Sequence, residues 1–332
     1  MMKKVCILPP KARLFLYSVL CILSACTKPE WCLVWSDEFD GETLNTAYWN
    51  VEDNARGGGN AELQYYAPKN ITIERHPVSG ERCLVLNAQR EDYRNRPCTS
   101  ARINTQDKVT VSYGKVEARI AFPHTADGLW PAFWMLGNNL AKDLGNDDSV
   151  DNRAEELAKQ NRVVWPKCGE IDICEMGHVN GIKAGTQDRF FNGACHWGES
   201  FNNGAYPNVG QFCTADYPVQ GDFHLFTLLW TEDSIAMYLD QDKYPEVEPY
   251  FQLSLRGKDI NEPGHYFNHP FYLVLNLSVG GFFPDMPAAE KYPELIMADD
   301  PSFRRVTALP ADGTPVKMYV DYIRVYKMVH SK

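Results

Sequence analysis

The sequence predicts an all-β fold, a sandwich or barrel of antiparallel strands. Short strand-like runs separated by Gly, Pro and Asn recur along the chain, and polar and apolar residues alternate within several of them. Helix-forming sequence is scarce, with one candidate at Ser149–Arg162. The predicted strands are Leu33–Trp35, Ile71–Ile73, Cys83–Ala88, Lys115–Ile120, Ala132–Leu136, Glu170–Glu175, Phe226–Trp230, Ile235–Leu239, Phe271–Val279 and Val316–Tyr326.

Two of these strands carry the clearest periodicity. Polar and apolar residues alternate in Lys115–Ile120 and again in Tyr319–Tyr322, which is typical of antiparallel strands with one buried face. Two long segments, Asn138–Lys167 and Asp242–His269, interrupt the strand pattern. We interpret them as loops, which on a rigid β scaffold commonly set specificity.

Composition narrows the class of protein. The 332 residues suffice for one large β domain, and 12% of them are aromatic. Aromatic rings suit cores and the flat apolar faces of sugars. The formal net charge of −10, without a basic stripe in the sequence, argues against a nucleic-acid partner. We expect the protein to act as a monomer.

The N-terminus predicts export. Basic residues precede the apolar run Leu14–Leu23, which is too short to span a bilayer, and Leu23–Cys26 resembles the lipobox of bacterial lipoproteins. We therefore expect a signal peptide at residues 1–25, a lipid on Cys26 and a linker at 26–32. The protein would be tethered to the bacterial cell envelope, at its periplasmic face or at the cell surface. The alternative is an ordinary secretory signal with an incidental cysteine.

Seven cysteines remain after the predicted signal and Cys26 are set aside. An odd number in an oxidising compartment permits disulfides but leaves at least one free thiol. Cys83 and Cys98 can face each other across a hairpin, whereas Cys168 and Cys174 on one extended strand are too far apart to bridge. The cysteines and histidines do not have the spacing that is typical of a zinc site. The alternative to disulfides is that most of these cysteines are small apolar side chains buried in the core.

The most informative stretch begins at Cys168 and reads C-G-E-I-D-I-C-E-M-G-H. Glu170 and Asp172 share one face of the predicted strand, whereas Glu175 lies an odd number of positions away and would face the other side. A β-bulge at residues 173–174 would bring all three carboxylates to one face. The spacing therefore predicts the bulge.

Three ionised groups beside a predicted core are costly unless they are paired or used for chemistry. Two glutamates that converge on a glycosidic bond supply the nucleophile and the acid of a retaining glycoside hydrolase. An aspartate between them can orient the nucleophile and hold a shared proton, because neighbouring carboxyl groups shift each other's pKa. The alternative is a strand with three solvated acids on its outer face.

The chain resembles glycoside hydrolase family 16, and particularly its laminarinase-like branch. The resemblance rests on the acidic stretch and on eight other sequence blocks that follow one another in the family's order. They are Leu33–Gly41, Gly57–Tyr66, Ser100–Thr105, Tyr113–Ile120, Gly128–Gly137, Phe223–Thr231, Leu275–Gly281 and Val320–Tyr326. The resemblance places the catalytic domain at residues 33–328. It implies a β-jelly roll of two curved antiparallel sheets with a concave cleft, and a retaining endo-enzyme acting on β-linked polysaccharides.

The resemblance assigns roles in catalysis by position. Glu170 matches the nucleophile, Glu175 the acid/base and Asp172 the carboxylate between them, and no cofactor is implied for catalysis. Trp130 and Trp134, four apart on one face of a strand, match positions where indoles stack on sugar rings. The alternative is that both tryptophans belong to the core.

Further residues match positions around the substrate. Asn60 and Arg102 match groups that hydrogen-bond sugar hydroxyls on the non-reducing side, and a merely solvated arginine is the alternative for Arg102. His196 is expected near the leaving group. His178 flanks the cleft either as a substrate contact or in a structural role.

The resemblance also implies a structural calcium ion. Glu38 and Asp321 match positions that hold it together with a backbone carbonyl, here that of Gly80, and oxygen ligands suit this hard cation. The alternative is a pair of exposed acids at strand ends.

The substrate is the least determined part of the prediction. A β-1,3- or mixed-linkage β-glucan fits the laminarinase-like blocks. The long segment Asn138–Lys167 departs from that pattern, and family members that cleave β-1,4-galactosidic bonds in mucin-type O-glycans fit such remodelled loops equally well. A non-catalytic glycan-binding lipoprotein is the alternative from another class, against which the intact acidic triplet argues.

Overall fold

The computed structural model describes residues 29–125, 127–141, 157, 159–289 and 296–330. The α-helices with described bounds are short, α1 (Val179–Ala184) and α2 (Pro301–Arg305). The strands are β1 (Pro29–Asp37), β2 (Asn50–Val51), β3 (Tyr65–Tyr66), β4 (Ile71–Arg75), β5 (Arg82–Tyr93), β6 (Arg96–Ser100), β7 (Arg102–Asn104), β8 (Thr110–Val111), β9 (Gly114–Ala121), β10 (Leu129–Gly137), β11 (Glu170–Met176), β12 (Phe190–His196), β13 (Asn208–Thr214), β14 (His224–Trp230), β15 (Ser234–Leu239), β16 (Phe251–Ser254), β17 (Phe271–Val279) and β18 (Val316–His330).

The strands form two large sheets, which we call the outer sheet and the cleft sheet. The outer sheet has the order β16-β15-β14-β9-β18-β5-β6-β3, with β1 paired to β18 and β4 paired to β5. The cleft sheet has the order β13-β12-β11-β10-β17-β7-β2, with β8 paired to β17. Pairing is antiparallel apart from β3 beside β6. The predicted all-β jelly roll is confirmed.

The core fills the space between the two sheets. Alternate residues of the outer sheet, such as Ala118 and Val320, are fully buried, and so are Phe133, Ile171 and Leu275 from the cleft sheet. This burial of apolar area is the main stabilising term for the sandwich. Each strand of the cleft sheet therefore presents its other residues to the concave face.

All ten predicted strands lie within observed strands. The segment Asp242–His269 is not a plain loop, because Phe251–Ser254 pairs with β15 as the edge strand of the outer sheet. Most of the predicted helix Ser149–Arg162 lies outside the described residues. The outer sheet begins at Pro29, four residues before the boundary predicted at residue 33.

The predicted cysteine pairing is wrong. Cys98 lies opposite Arg90 in the β5–β6 ladder rather than opposite Cys83, and the seven described cysteines are free thiols. The predicted signal peptide and Cys26 lie outside the described residues. Within the described part of the chain, no helix has the length and hydropathy that crossing a bilayer requires.

Candidate active site

The acidic triplet lies on β11, in the middle of the cleft sheet, and a β-bulge sets its geometry. Asp172 and Glu175 pair with Ala194 and Asn192 of β12, so two intervening residues on β11 oppose one on β12. The register with β10 shifts at the same place. The bulge predicted at residues 173–174 is therefore confirmed, and Tyr250 stabilises it by donating its hydroxyl to the Ile173 carbonyl.

The bulge sorts the residues of β11 between the two faces. Ile171, Ile173 and Cys174 are fully buried in the core. Glu170, Asp172 and Glu175 all lie on the concave face, where Trp165, His196 and Trp130 respectively approach their carboxyl groups.

Glu175 is held by two neutral donors. Trp130 Nε1 donates to its Oε1 at 3.0 Å, and Asn192 Nδ2 donates to its Oε2 at 2.8 Å. The side chain is 9% exposed. These bonds fix the orientation of the carboxyl group without neutralising it, which suits a group that exchanges a proton.

Glu170 and Asp172 share the other end of the triplet with His196. Trp165 Nε1 donates to Glu170 Oε2 at 2.9 Å, and His196 Nε2 lies 3.2 Å from Asp172 Oδ2. The other ring nitrogen of His196 lies 3.1 Å from the Tyr206 hydroxyl. Ligand atoms of Glu170, Asp172 and His196 lie within 4.8 Å of one another, a spacing that could also hold a metal ion.

Burial raises the pKa of all three carboxyl groups. It raises the pKa of Glu170 to about 8, with the Asp172 charge adding to the effect. Burial and the Glu175 charge raise the pKa of Asp172, and burial raises that of Glu175 against the opposing hydrogen bond from Asn192. Three neighbouring acids cannot all ionise together, so the site holds protonated and ionised carboxyl groups side by side.

A hydrogen-bonded polar chain lies on the β10–β17 side of the triplet. Trp134 Nε1 donates to Asn276 Oδ1 at 2.7 Å, and Asn276 Nδ2 donates to Ser278 Oγ at 2.9 Å. Ser278 Oγ lies 2.7 Å from the Tyr66 hydroxyl, which donates to the buried Glu62 at 2.8 Å. The chain fixes the Trp134 indole, and Trp134 is partly exposed on the concave face.

Arg102 lies beside Trp134 rather than free in solvent. Its guanidinium is 4.7 Å from the centroid of the indole, and its Nε lies 3.0 Å from Glu52 Oε1. Asn60 lies near Trp130, because the Asn60 carbonyl and the Trp130 ring both lie close to Gly281. Arg102 thus lies beside a tryptophan of the cleft sheet, whereas the Asn60 side chain donates to the Gly58 carbonyl, and neither residue has a described hydrogen bond to the triplet.

His178 lies beyond Glu175 and has a structural contact. Its Nδ1 accepts from the backbone N–H of Asn180 and so caps α1. Its ring packs at 4.5 Å from Phe212 and 4.8 Å from Phe283, and Phe283 stacks on Trp130 at 4.7 Å. His178 is thus both a helix cap and part of the aromatic rim of the cleft.

The residues predicted to bind calcium do not fit a calcium ion as they are arranged. Both carboxylate oxygens of Glu38 accept from Arg324, at 2.9 and 2.8 Å. Asp321 accepts from Arg119 at 2.7 Å, and the Gly80 carbonyl accepts from an arginine at 2.8 Å. All three predicted oxygen ligands face guanidinium groups, which repel a cation.

Sequence reasoning missed several residues of the site. Asn192 lies two and four positions from Ala194 and His196 on the same strand face, so alternation from His196 pointed to it. Asn276 and Ser278 alternate with leucine and valine in β17, a signal that a polar face was present. Trp165 and Tyr206 carry no comparable signal, because both lie outside strands.

Known proteins resemble this chain in sequence and in fold. Residues 67–253 match the sequence profile described as Glycosyl hydrolases family 16. The Glucan endo-1,3-beta-glucosidase A1 of Niallia circulans is 32% identical over 89% of this chain and 38% of that protein. The Beta-glucanase of Rhodothermus marinus is 30% identical over 91% of this chain and 87% of that protein.

A solved structure and a relative with a different activity are also similar. The mixed linkage glucan GH16 protein of Bacteroides ovatus, in complex with a G4G4G3G product, has a TM-score of 0.66 and 28% identity, covering 88% of this chain and 99% of that one. A Keratan-sulfate endo-1,4-beta-galactosidase of Sphingobacterium multivorum is 25% identical over 89% of this chain and 55% of that protein.

The extent of these matches differs between relatives. The chain spans only about a third of the first two curated relatives it matches, at 34% and 38% of their lengths. The family profile nevertheless covers more than half of this chain and includes β11 with its acidic triplet. The chain belongs to glycosyl hydrolase family 16.

Proposed function

We propose that the chain is a retaining endo-β-glycosidase that hydrolyses internal linkages of a β-1,3- or mixed-linkage β-glucan. The observation that carries the proposal is the bulge in β11, which turns Glu170 and Glu175 to the same concave face. Both the family and the β-glucan-cleaving names of its relatives support this substrate class.

In this mechanism the proton that Glu170 shares with Asp172 resides on Asp172, so that Glu170 attacks the anomeric carbon as a carboxylate while Glu175 protonates the departing glycosidic oxygen. A glycosyl ester to Glu170 forms and the reducing-end fragment leaves. Glu175, now ionised, removes a proton from water, which attacks the ester and regenerates Glu170. Asp172, between them and close to His196, orients Glu170 and shares a proton with it.

The polar chain and Arg102 lie on the side of Glu170 where the non-reducing part of the glycan would bind. The Trp134 indole offers a flat apolar face for a sugar ring. Asn276 and Arg102 lie against that indole, so the face available to a sugar has a fixed position. Binding energy from this side would position the bond to be cleaved.

Product analysis tests the proposal. The purified chain is incubated with laminarin, cereal mixed-linkage glucan and mucin O-glycans in parallel, and the products are separated by size. We expect oligosaccharides from at least one β-glucan, with Glu170→Gln as the inactive control. Binding of a β-glucan without any new reducing ends would instead favour the non-catalytic glycan-binding alternative.

A second candidate is an endo-β-1,4-galactosidase acting on mucin-type O-glycans. The aromatic group of Trp165, Phe201 and Tyr206 borders Glu170 and comes from segments outside the laminarinase-like blocks. The galactosidase named above is a relative of the same family. Products from mucin O-glycans, without products from either β-glucan, would decide for this candidate.

We also propose that the mature chain is anchored to a bacterial membrane by a lipid on Cys26. The lipobox-like sequence Leu23–Cys26 and the preceding apolar run support this. Mass spectrometry of the mature N-terminus would detect the lipid. In the Cys26→Ser variant we expect the protein to move from the membrane fraction to the soluble fraction, and an unmodified Cys26 in the wild type would refute the anchor.

A further inference from the structure

We infer that the paired ends of β1 and β18 form a membrane-contacting ribbon, which lays the outward face of the outer sheet on a lipid bilayer. The ribbon consists of residues 31–34 of β1 and residues 326–329 of β18. This inference rests on the proposed lipid on Cys26 and goes beyond it, because an anchor alone does not determine how the domain is oriented. The ribbon determines which surface meets the membrane and in which direction the cleft opens.

The ribbon lies at one end of the outer sheet. β18 pairs with β9 as far as Tyr326, which lies opposite Lys115. Beyond Tyr326 the described ladders pair β18 with β1 alone, and β1 pairs with no other described strand. Two strands without a third therefore form this end of the sheet.

Exposed apolar side chains are concentrated on these two strands. They are four of the twelve large hydrophobic residues that are exposed in the described part of the chain, and each is between 43% and 52% exposed: Leu33, Val34, Met328 and Val329. Single exposed apolar residues are ordinary on a protein surface, whereas a group on two paired strands indicates an interaction site. The ribbon is therefore a surface that meets another apolar phase.

Alternation along β18 assigns these residues to a face. Val325 is buried in the core, so the side chains of Tyr326 and Met328, at odd separations from it, lie on the outward face of the outer sheet. Leu33 pairs with Tyr326 and Trp31 pairs with Met328, and directly opposed residues share a face. The outward face of the ribbon thus carries two aromatic rings, a leucine and a methionine.

A lysine completes this face. The ammonium group of Lys115 lies 4.2 Å from the ring centroid of Tyr326 and 6.0 Å from that of Trp31. Tryptophan and tyrosine are enriched at the boundary between hydrocarbon and headgroups, and a lysine there keeps its charged end in water. Because Lys115 is paired with Glu117 at 2.5 Å, the contact does not depend on anionic lipids.

The proposed anchor lies too close to the ribbon for the ribbon to leave the membrane. Two residues, Thr27 and Lys28, separate Cys26 from Pro29, the first residue of β1. The three steps from Cys26 to Pro29 span at most roughly 11 Å when fully extended. The headgroup layer on each side of a bilayer is itself about 5–8 Å thick. A lipid on Cys26 with its acyl chains in the hydrocarbon therefore keeps the ribbon at the headgroups.

Contact through the outward face also sets the direction of the cleft. The two sheets pack on each other through their inner faces, so the outward face of the outer sheet and the concave face of the cleft sheet point in opposite directions. The acidic triplet therefore opens away from the bilayer, toward glycans outside it. A long flexible linker would not fix this orientation.

Quenching by brominated lipids tests the contact. The lipidated protein is placed in phosphatidylcholine vesicles, a fraction of whose acyl chains carry bromine. A bimane fluorophore is attached either through Met328→Cys on the outward face or through Gly210→Cys, whose residue continues the concave row from Ala194 on β13. The exposed Cys32 and the half-buried Cys213 are replaced by serine in both proteins, so that the label reacts at one position.

We expect bromine to quench the label at position 328 at least about twofold more than the label at position 210, because an apolar face enters the boundary between headgroups and acyl chains. Leu33→Glu should reduce the quenching at position 328 at least about twofold, since a carboxylate resists transfer out of water. Hydrolysis of a soluble glucan should be unchanged in Leu33→Glu, which shows that the variant folds.

Val78→Glu is the matched control for the added charge. Val78 is 88% exposed in the turn between β4 and β5, and the neighbouring His76 packs 4.8 Å from the ring of Tyr319, in the half of β18 remote from the ribbon. This variant should keep the quenching of the parent protein. A loss as large as that in Leu33→Glu would mean that added charge, and not the ribbon, governs the contact.

Three results would overturn the ribbon contact. One is equal quenching at positions 328 and 210, and another is no quenching at position 328 in a protein whose Cys26 carries lipid by mass spectrometry. The third is a dimer crosslinked through the native Cys32 on mild oxidation, without quenching at position 328, which would assign the ribbon to a second copy of the chain. An unmodified Cys26 would instead refute the proposed anchor, and with it the short tether on which the ribbon depends.

Discussion

Glu175 in the cleft sheet and Glu38 beside the outer sheet are held by different kinds of donor. Glu175 accepts from an indole and a carboxamide, whereas both oxygens of Glu38 accept from the guanidinium of Arg324. Burial raises the pKa of Glu175, and the hydrogen bond from Arg324 lowers the pKa of Glu38. Neutral donors orient an acid and leave its proton exchangeable, whereas a cation fixes it in the ionised state.

A similar contrast in partners extends to further acids, although burial raises the pKa of Asp321 despite its pair with Arg119. Glu170 accepts from an indole, while on the outer sheet Glu81 and Asp321 both pair with Arg119, and Glu74 pairs with a lysine at 2.5 Å. The two glutamates proposed for catalysis thus accept from neutral donors, whereas these acids of the outer sheet pair with cations. Sequence alone suggested functional roles for acids in both sheets.

The largest expected effect comes from removing the ionisable groups of the cleft. We expect Glu170→Gln and Glu175→Gln each to lower hydrolysis of a β-glucan by roughly 10²–10⁴-fold, as for loss of a positioned acid or base. Both variants should fold. The new amide oxygen can accept from Trp165 at position 170 and from Trp130 at position 175, where the unpartnered Oδ1 of Asn192 can accept from the amide NH₂ once the Asn192 carboxamide has turned over. Reducing-sugar release gives the rates, and circular dichroism checks the fold.

A β-oligoglucosyl fluoride as substrate distinguishes the role of Glu170 from that of Glu175. Fluoride departs without a proton, so formation of the glycosyl ester should survive in Glu175→Gln and be lost in Glu170→Gln. An initial burst of fluoride in Glu175→Gln alone supports the assigned roles. A burst in Glu170→Gln alone would mean that the nucleophile and the acid/base are assigned the wrong way round.

A buried acid that accepts hydrogen bonds from neutral donors sharpens the comparison. Glu62 is 4% exposed, burial raises its pKa, and the Tyr66 hydroxyl joins it to the polar chain that ends at Trp134. Tyr66→Phe should therefore weaken glycan binding about tenfold, because the chain loses its link to Glu62 and leaves buried polar atoms unpaired. The KM should rise for the polymer and for the oligoglucosyl fluoride alike.

The effect should be equal because the polar chain lies on the side that binds the non-reducing part of either substrate. Thermal unfolding of Tyr66→Phe provides the control, with an expected loss of about 1–3 kcal/mol for an unsatisfied buried group. An unchanged KM for both substrates, at that loss of stability, would show that the chain supports the fold and not the binding surface.

The pH dependence of stability gives the next smaller effect. Because the pKa of Glu170 is raised to about 8 in the folded protein, the folded state holds a proton that the unfolded state has released above about pH 4.5. Stability should therefore fall as pH rises from about 4.5 to 8. Glu170→Gln cannot ionise, so its gain in stability over the wild type should grow across this range.

We expect this gain to reach on the order of 1–2 kcal/mol at pH 8, since partial exposure of Glu170 reduces the electrostatic cost. Denaturant unfolding at pH 5 and pH 8 measures it in both proteins. A gain that is constant between these pH values would contradict the raised pKa.

The features of the site that could be predicted follow mainly from the spacing of residues along a single strand. The odd separation of Glu170 and Glu175 required a bulge for a shared face, and the bulge is present. A second bulge, between Val320 and Tyr322, had no such signal. This bulge shifts the alternation of buried and exposed residues by one position. Ile323 is therefore fully buried, and Tyr322 is not.

Contacts between distant segments could not be predicted. Arg119 reaches Asp321 because β9 pairs with β18, and Arg324 reaches Glu38 because β1 pairs with β18, each with a particular register. In the same way, Trp165 reaches Glu170 from a segment outside the strands. The alternation of polar and apolar residues predicts the face of the strand on which a side chain lies. It does not predict which residue of another segment contacts that side chain.

The smallest expected effect concerns calcium. The arginines that hold Glu38 and Asp321 occupy the positions where a cation would lie, so an ion could bind only by breaking these pairs. We expect excess Ca²⁺ or EDTA to change the melting temperature by less than about 1 °C, because a ligand without affinity for the folded state does not stabilise it. Mg²⁺ at the same ionic strength is the control. A Ca²⁺-specific rise in melting temperature that Glu38→Gln abolishes would mean that Arg324 yields to the ion, and that the outer-sheet acids are not purely structural.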